Sequence, residues 1–436
     1  MMLERDAIAR VVHLLDPNDF YSEPHRVIYE GILALFERAS PVDIQTLGVH
    51  LRDQGVLERV GGMATLMALY DAVPTAANAE HYARAVRSKA TRRALIGAAE
   101  EVKKLAHDTA RETDEVVDES EAAIFAIGQR TISQDFVLLK PLLRETYDNI
   151  EEMAKHHTPA SGLASGFTVL DQITSGFQSA DLVILAGRPS MGKTALALNV
   201  ATHVAVRERL PVALFSLEMS KEQLALRILC SEARVEQQAV RSGWVEDEDL
   251  QRLTRATEIL YDAPVYIDDT ATMNVLEMRG KARRLQAEVG GLGLMVVDYL
   301  QLMQGHGRFE NRTQEISQVA RGLKALAREM RVPILALSQL SRAVEQRPVK
   351  RPMLSDLRES GSIEAEADVV MFIYRPAYYG PDELRRVDYD PADQTITEVI
   401  VAKQRNGPTD TARLAWVGRH IRFESREEYR APDYVD

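Results

Sequence analysis

The chain of 436 residues holds a single cysteine, Cys230. One thiol excludes an intramolecular disulfide and leaves no cysteine-built metal cluster, and its apolar neighbours Leu226, Ile228 and Leu229 mark it as a buried structural side chain. Long apolar runs are missing as well: the stretch from Leu292 to Val297 falls far short of the roughly 20 residues a membrane span needs. The opening Met-Met-Leu-Glu-Arg-Asp has no basic segment followed by an apolar one, so no secretory signal is read. These absences predict a cytoplasmic protein without a membrane partner. Positive charge is in deficit overall, with a formal net charge of −12, which argues mildly against a nucleic-acid partner. Its distribution does not. Residues 100–121 carry nine acids against three bases, whereas residues 308–351 carry ten Lys/Arg against four Glu, and a local basic surface attracts phosphates even on an acidic protein. A solvated helix face over Asn311 to Met330 accounts for about half of those bases. The rest of the composition, 45% hydrophobic and 27% charged, is that of an ordinary globular chain of two or three domains.

The stretch Gly187-Arg188-Pro189-Ser190-Met191-Gly192-Lys193-Thr194 fits G-x-x-x-x-G-K-[ST]. An apolar strand pattern, 182–186, precedes it, and a helical pattern, Ala195 to Arg207, follows. That order lets the loop's N–H groups and the helix N-terminus converge on one anion. Lys193 reaches the β/γ oxygens of a bound nucleoside triphosphate, and the Thr194 hydroxyl ligates Mg²⁺. Around this loop, from Gly166 on, strands and helices alternate. Strand candidates are 182–186, 211–217, 294–300, 332–337, 368–374 and 397–403, with a β-rich ending near 412–424, and they predict a mostly parallel α/β sheet with ligands at the carboxyl ends of its strands. Residues 1–130, by contrast, read as helices alone. Pro24 to Ala39 carries one apolar face, Asp43 is placed to cap the next helix, and Asn78 to His107 with Thr113 to Gly128 suggests a helical hairpin. Leu142 to His156 reads as an isolated amphipathic helix inside a linker, 131–165, whose apolar stripe needs a surface to dock on.

Three further positions suit the nucleotide. Asp298 ends the apolar strand Leu294 to Val297 and suits Mg²⁺, directly or through water. Glu218 ends another, where a carboxylate orients and deprotonates a water. Gln339 follows Ile334 to Ser338, where an amide touches the γ-phosphate. In Lys403-Gln404-Arg405-Asn406-Gly407-Pro408, alternation sends Lys403 and Arg405 to one face. Composition alone makes this an exposed hairpin tip, and an arginine supplied in trans to a phosphoryl site has the same look.

Taken together, the segments AGRPSMGKT, FSLEMS, LMVVDYLQLM, ALSQLSR, RPMLSDLRESGSIEAEADVVMFIYR and AKQRNGP resemble the DnaB-type bacterial replicative helicases, and DFYSEPHRVIYEGI and ETYDNIE extend the resemblance outside the motor. The resemblance implies an all-α N-terminal collar, a linker helix that packs on the adjacent subunit, and a RecA-like ATPase domain over 166–436, assembled as a homohexameric ring. It implies ATP and Mg²⁺ as cofactors, single-stranded and forked DNA as substrate, and primase and a helicase loader as partners, at replication forks in the nucleoid. Residue by residue, Lys193 and Thr194 hold phosphate and Mg²⁺, Glu218 is the catalytic base, Asp298 the acidic strand end and Gln339 the γ-phosphate sensor. Lys403 and Arg405 reach the neighbour's site, Arg358, Glu359 and Gly361 contact DNA in the channel, and Arg308 and Arg312 lie in a second channel loop. Family members usually begin with a further acidic helix upstream of Met1. The expectation is a misassigned start or a collar lacking one helix, which touches collar packing and the primase-facing surface. The rival readings are a RecA-like recombination or repair ATPase and an ATP-switched DNA clamp.

Overall fold

Residues 28, 32 and 35 are spaced for one helical face, and Ile28, Ile32 and Leu35 are buried together. They belong to a cluster of five helices: α1 (Asp6–Val11), α2 (Glu23–Glu37), α3 (Ile44–Asp53), α4 (Gly62–Asp71) and α5 (Ala79–His107). Ile8, Leu47, Leu51 and Leu66 from three of the other helices complete its core. Asp43 caps α3, accepting from the N–H groups of Gln45 and Thr46 at 2.9 Å each; these bonds hold its carboxyl below the usual range.

The computed structural model describes the chain except residues 5, 39, 74, 112, 114, 115, 117, 118, 121, 122, 125, 126, 128–138, 140–142, 144–146, 148–150, 152–161, 306–308, 310, 358–360 and 427–436. Two compact units emerge, Met1–Arg144 and Glu145–Asp436. Thr113 to Gly128 is helical at its described positions, and the expected linker helix, 142–156, lies for the most part outside the described residues.

The second unit is built on one sheet. Its strands are β1 (Leu182–Gly187), β2 (Val212–Ser216), β3 (Val265–Asp268), β4 (Leu294–Asp298), β5 (Ile334–Gln339), β6 (Val369–Tyr374), β7 (Ile396–Gln404), β8 (Thr411–Val417) and β9 (Arg422–Ser425). Their order is β3-β2-β4-β5-β1-β6-β7-β8-β9. The first six run parallel, while β7, β8 and β9 return antiparallel. The sheet expected from the sequence is thus parallel over six strands and carries an antiparallel wing. Helices cover both faces, which is why β1 reads as an unbroken apolar run. Val183 and Leu185 face the side of α7 (Lys193–Val206), which follows α6 (Thr168–Thr174). Leu182, Ile184 and Ala186 face the opposite side. There α12 (Arg312–Met330) buries Leu323 and Ala327, after α8 (Lys221–Ala233), α9 (Gln237–Ser242), α10 (Asp247–Tyr261) and α11 (Val275–Val289). Two expected strands are shifted: 294–300 ends at Asp298 because Leu300–Leu302 turns as a 3₁₀ helix, and 332–337 runs instead over Ile334–Gln339.

At the amino edge of β1 lies a buried charge network. Lys324 donates to the Ala180 carbonyl at 2.8 Å and pairs with Asp368, whose carboxylate also accepts from the N–H of Leu182 at 2.9 Å. Burial, then the Asp368 charge, pushes the Asp181 carboxyl up to about 6. A carboxyl raised on folding stabilises the fold only while protonated, so this contribution is complete below the unfolded value near 4 and is lost as pH rises through about 6. Asp181→Asn is therefore expected to remove a loss of stability between those pH values. Thermal unfolding of both proteins across that range checks it, and parallel Tm profiles would refute it.

Candidate active site

Four neighbouring parallel strands, β2, β4, β5 and β1, end at one cleft of about 640 Å³. Pairing fixes the levels of their last residues. Ser216 lies opposite Asp298, and Gly187 opposite Gln339. Glu218, two residues beyond β2, is exposed beside Asp298, and the cleft is lined by Lys193, Thr194, Glu218, Asp298 and Gln339. Sequence positions more than a hundred residues apart are so gathered at the carboxyl edge, where open α/β sheets bind ligands.

The loop between β1 and α7 turns through positive φ at Ser190 (66°) and Gly192 (97°). A side chain at Gly192 would also put its Cβ 2.7 Å from Cζ of Phe423. Phe423 and Trp416, from the antiparallel wing, thus support the loop from below. Arg375 covers the Trp416 ring at 4.5 Å and donates to the Ser190 carbonyl at 3.2 Å; burial lowers its pKa to about 10. The wing, whose last two strands the sequence offered only as a β-rich ending, is a structural part of the cleft.

Inside the cleft, the Thr194 hydroxyl donates to Oδ2 of Asp298 at 2.7 Å. Lys193 Nζ donates to the Gly187 carbonyl at 3.1 Å. Burial lowers the Lys193 pKa, while the charges of Asp298 and Glu218 act in the opposite direction. Burial raises the Asp298 carboxyl, and the Thr194 bond lowers it. A second cation was not foreseen. Arg227 on α8 lines the cleft, its Nε buried without a hydrogen-bond partner, and the charges of Asp298 and Glu218 favour its protonated form against burial. In the sequence it lies between Leu226 and Ile228 with no motif to single it out, and the packing of α8 over the cleft turns it inward. Trp416 and Ile421 line the same cleft.

Three residues of the phosphate-loop motif point elsewhere. Met191 is in the core, Gly187 packs on Ile373, and Arg188 turns its guanidinium away toward Glu345. Lys403 and Arg405 do share a face, but at the opposite edge of the sheet. Val369, the first residue of β6, pairs with Gln404. Lys403 donates to the Ala367 carbonyl at 2.9 Å and also to that of Glu364, and Arg405 donates to the Ala365 carbonyl at 2.5 Å and lies 3.5 Å from Asp368. Both cations grip the end of α13 (Gly361–Glu366), which precedes α14 (Pro381–Arg386). About 20 Å of β1, six residues at roughly 3.3 Å each, separates that edge from the chain's own phosphate loop.

Of the expected DNA contacts, Arg308, Arg358 and Glu359 lie outside the described residues. Gly361 is exposed at the start of α13. Arg312 is not a free cation: it donates to the Gln301 carbonyl at 2.7 Å and to that of Met303 at 3.3 Å, and pairs with Glu315. Its side chain anchors the start of α12 to the segment after β4. Gln301, also missed, braces two strand ends, donating to Ser338 Oγ at 2.9 Å and accepting from the N–H of Gln339 at 3.2 Å.

Family models match in both units: the DnaB-like helicase N terminal domain over residues 1–88 and the DnaB-like helicase C terminal domain over 162–425. The chain belongs to the DnaB-like replicative helicase family. It is similar to the replicative DNA helicase DnaB of Geobacillus stearothermophilus, with 46% identity over 98% of this chain and 92% of the relative. Against the replicative DNA helicase DnaC of Bacillus subtilis (strain 168), identity is 45% over the same shares. A solved DnaB-like replicative helicase, described together with its interactions with primase, superposes with a TM-score of 0.75 at 31% identity, covering 98% of this chain and 97% of that one. A solved ATPase domain superposes with a TM-score of 0.62 at 37% identity, over 67% of this chain and all of that one. The helicase is therefore an ATP-dependent enzyme of DNA replication. The recombinase and clamp readings are not favoured, because relatives of this kind match along nearly the whole chain.

Proposed function

We propose that this chain works as a homohexameric ring in which each ATP site is completed by the next subunit, so that hydrolysis drives movement along one DNA strand, 5′ to 3′. The observation that carries this reading is the position of Lys403 and Arg405 on the sheet edge opposite their own phosphate loop. From there they serve a neighbour's site and not their own. In the cleft, the loop N–H groups and Lys193 bind the phosphates, Arg227 adds a second cation from the same subunit, and Gln339 contacts the γ-phosphate. Glu218, exposed at the mouth, orients the attacking water and takes its proton. Arg405 from the adjacent subunit offsets the charge that develops on the transferred phosphoryl group.

The donor set suits Mg²⁺. Thr194 and Asp298 offer hard oxygens 2.7 Å apart, and among the described residues no group of three or more His, Cys, Asp or Glu stands together. Mg²⁺ is characteristically held by one or two protein oxygens together with waters and substrate phosphates. When bound, the ion neutralises charge on the β- and γ-oxygens.

We assign residues 1–130 to the helical collar, 131–165 to a linker and 166–436 to the motor. Arg358, Glu359, Gly361 and Arg308 are proposed to face single-stranded DNA in the channel. Arg312 joins them as the anchor of its loop. Primase at the collar, a helicase loader and forked DNA are the proposed partners, at replication forks in the cytoplasm. None of the described helices is long and apolar enough to cross a membrane.

Strand displacement on forked duplexes tests the reading. Unwinding is expected only where a free 5′ tail is present, and it should vanish with Lys193→Ala. Unwinding that needs a 3′ tail would reverse the polarity, and DNA-stimulated hydrolysis without displacement would refute the motor.

A further inference from the structure

Arg188 occupies the second position of the phosphate loop, yet its guanidinium touches none of the cleft. It is buried, with 8% of its surface exposed. Its Nε donates to Oε1 of Glu345 at 2.9 Å, and an Nη donates to the Leu340 carbonyl at 2.9 Å. Leu340 directly follows Gln339, and its own N–H donates back to the Gly187 carbonyl at 3.3 Å. The entrance of the phosphate loop and the end of β5 are thus tied in both directions. Glu345 sits in a 3₁₀ turn, Arg342–Gln346. The residues around that turn continue the connection. The Ser341 N–H donates to the Asp356 carbonyl at 2.9 Å, Arg347 pairs with the Asp356 carboxylate, and Leu340 forms an antiparallel bridge with Leu357. Leu357 is the last residue before position 358. An unbroken set of contacts therefore runs from the phosphate loop to the base of the segment assigned to DNA.

We propose that the Arg188–Glu345 pair is a positioning strut that makes ATP hydrolysis respond to single-stranded DNA. The proposal rests on the motor reading above. Two features separate a strut from a simple prop. An ion pair with one partner half in solvent adds little net stability, so folding alone does not account for this one. The partners are also unequally exposed, 9% for the Arg188 side chain and 40% for that of Glu345. The exposed Glu345 carboxylate has solvent to move into, while Arg188 keeps its bond to Leu340. The contact can therefore be made and broken as the end of β5 shifts with the γ-phosphate. Its loss would leave the cleft itself assembled, because Glu345 lines none of it.

The test uses the full-length chain and a Glu345→Gln variant. Turnover is measured with and without oligo-dT, fluorescent ADP affinity by titration, and oligo-dT affinity by anisotropy in ADP and in a slowly hydrolysed ATP analogue. ADP affinity and DNA-free turnover are expected to stay within about twofold, while stimulation by DNA drops about fivefold or more and the two oligo-dT affinities converge, as for the loss of an ordinary coupling free energy. Arg188→Gln should lose the same stimulation, and the double variant should lose no more than the singles, since the pair acts as a unit. Full stimulation in Glu345→Gln would overturn the strut. So would an equal fall in DNA-free and DNA-stimulated rates, which marks a mere prop. If the unaltered protein shows no stimulation by DNA, it is the motor reading that fails, and the strut with it.

Discussion

Arg405→Ala is expected to lower ATP turnover by about 10³–10⁵, the range for an arginine supplied in trans to a phosphoryl-transfer site. The fold should survive, because Arg405 has 42% of its side chain exposed and Lys403 still holds the end of α13. ATP binding should survive too, since the chain's own phosphate loop lies at the far end of β1. Mixing experiments distinguish this from a cis role. Rings combining Arg405→Ala with Lys193→Ala contain interfaces where an intact phosphate loop meets an intact arginine, so mixing two inactive proteins should regain hydrolysis. Normal turnover by Arg405→Ala alone, or no recovery on mixing, would remove the trans assignment.

Glu218→Gln carries the second large effect. General-base catalysis contributes about 10²–10⁴, and the amide keeps the shape of the carboxylate while losing its basicity. Glu218 sits at the exposed mouth beside Asp298 rather than in the core, so the variant should fold and retain ATP. Its affinity for ATP should hold or rise, because a negative charge near the phosphates has gone. Single-turnover hydrolysis, measured with nucleotide binding on the same sample, separates the two steps. Undiminished hydrolysis would mean that another group takes the proton. Asp298→Asn should differ in kind, weakening the retention of nucleotide with Mg²⁺ as well as the chemistry.

Much of this site was legible because its signals are local. The eight residues from Gly187 to Thr194 carry their own spacing, and Glu218, Asp298 and Gln339 each close an apolar run. Asp43 likewise announced a helix start that the structure bears out. What escaped depends on partners far along the chain. Strand β3 is four residues long, partly exposed, and preceded by Pro264; only its pairing with β2 makes it a strand. Trp416 and Phe423 support the loop at Gly192 from more than two hundred residues away. The direction of a long cation is equally hidden. Arg188, Arg227 and Arg312 look alike in sequence, but one ties two loops, one enters the cleft and one anchors a helix. Pattern reveals where a strand ends, whereas the acceptors that capture a guanidinium are supplied by the tertiary fold.

The two ends of β1 differ in what they demand. On the trans reading, one end holds a nucleotide and the other presents an activator the same subunit cannot use. A subunit lost from the ring would then keep its bound ATP unspent, with no inhibitor needed to restrain it. Dilution alone would silence the enzyme, and fuel would be consumed only where the assembly is intact.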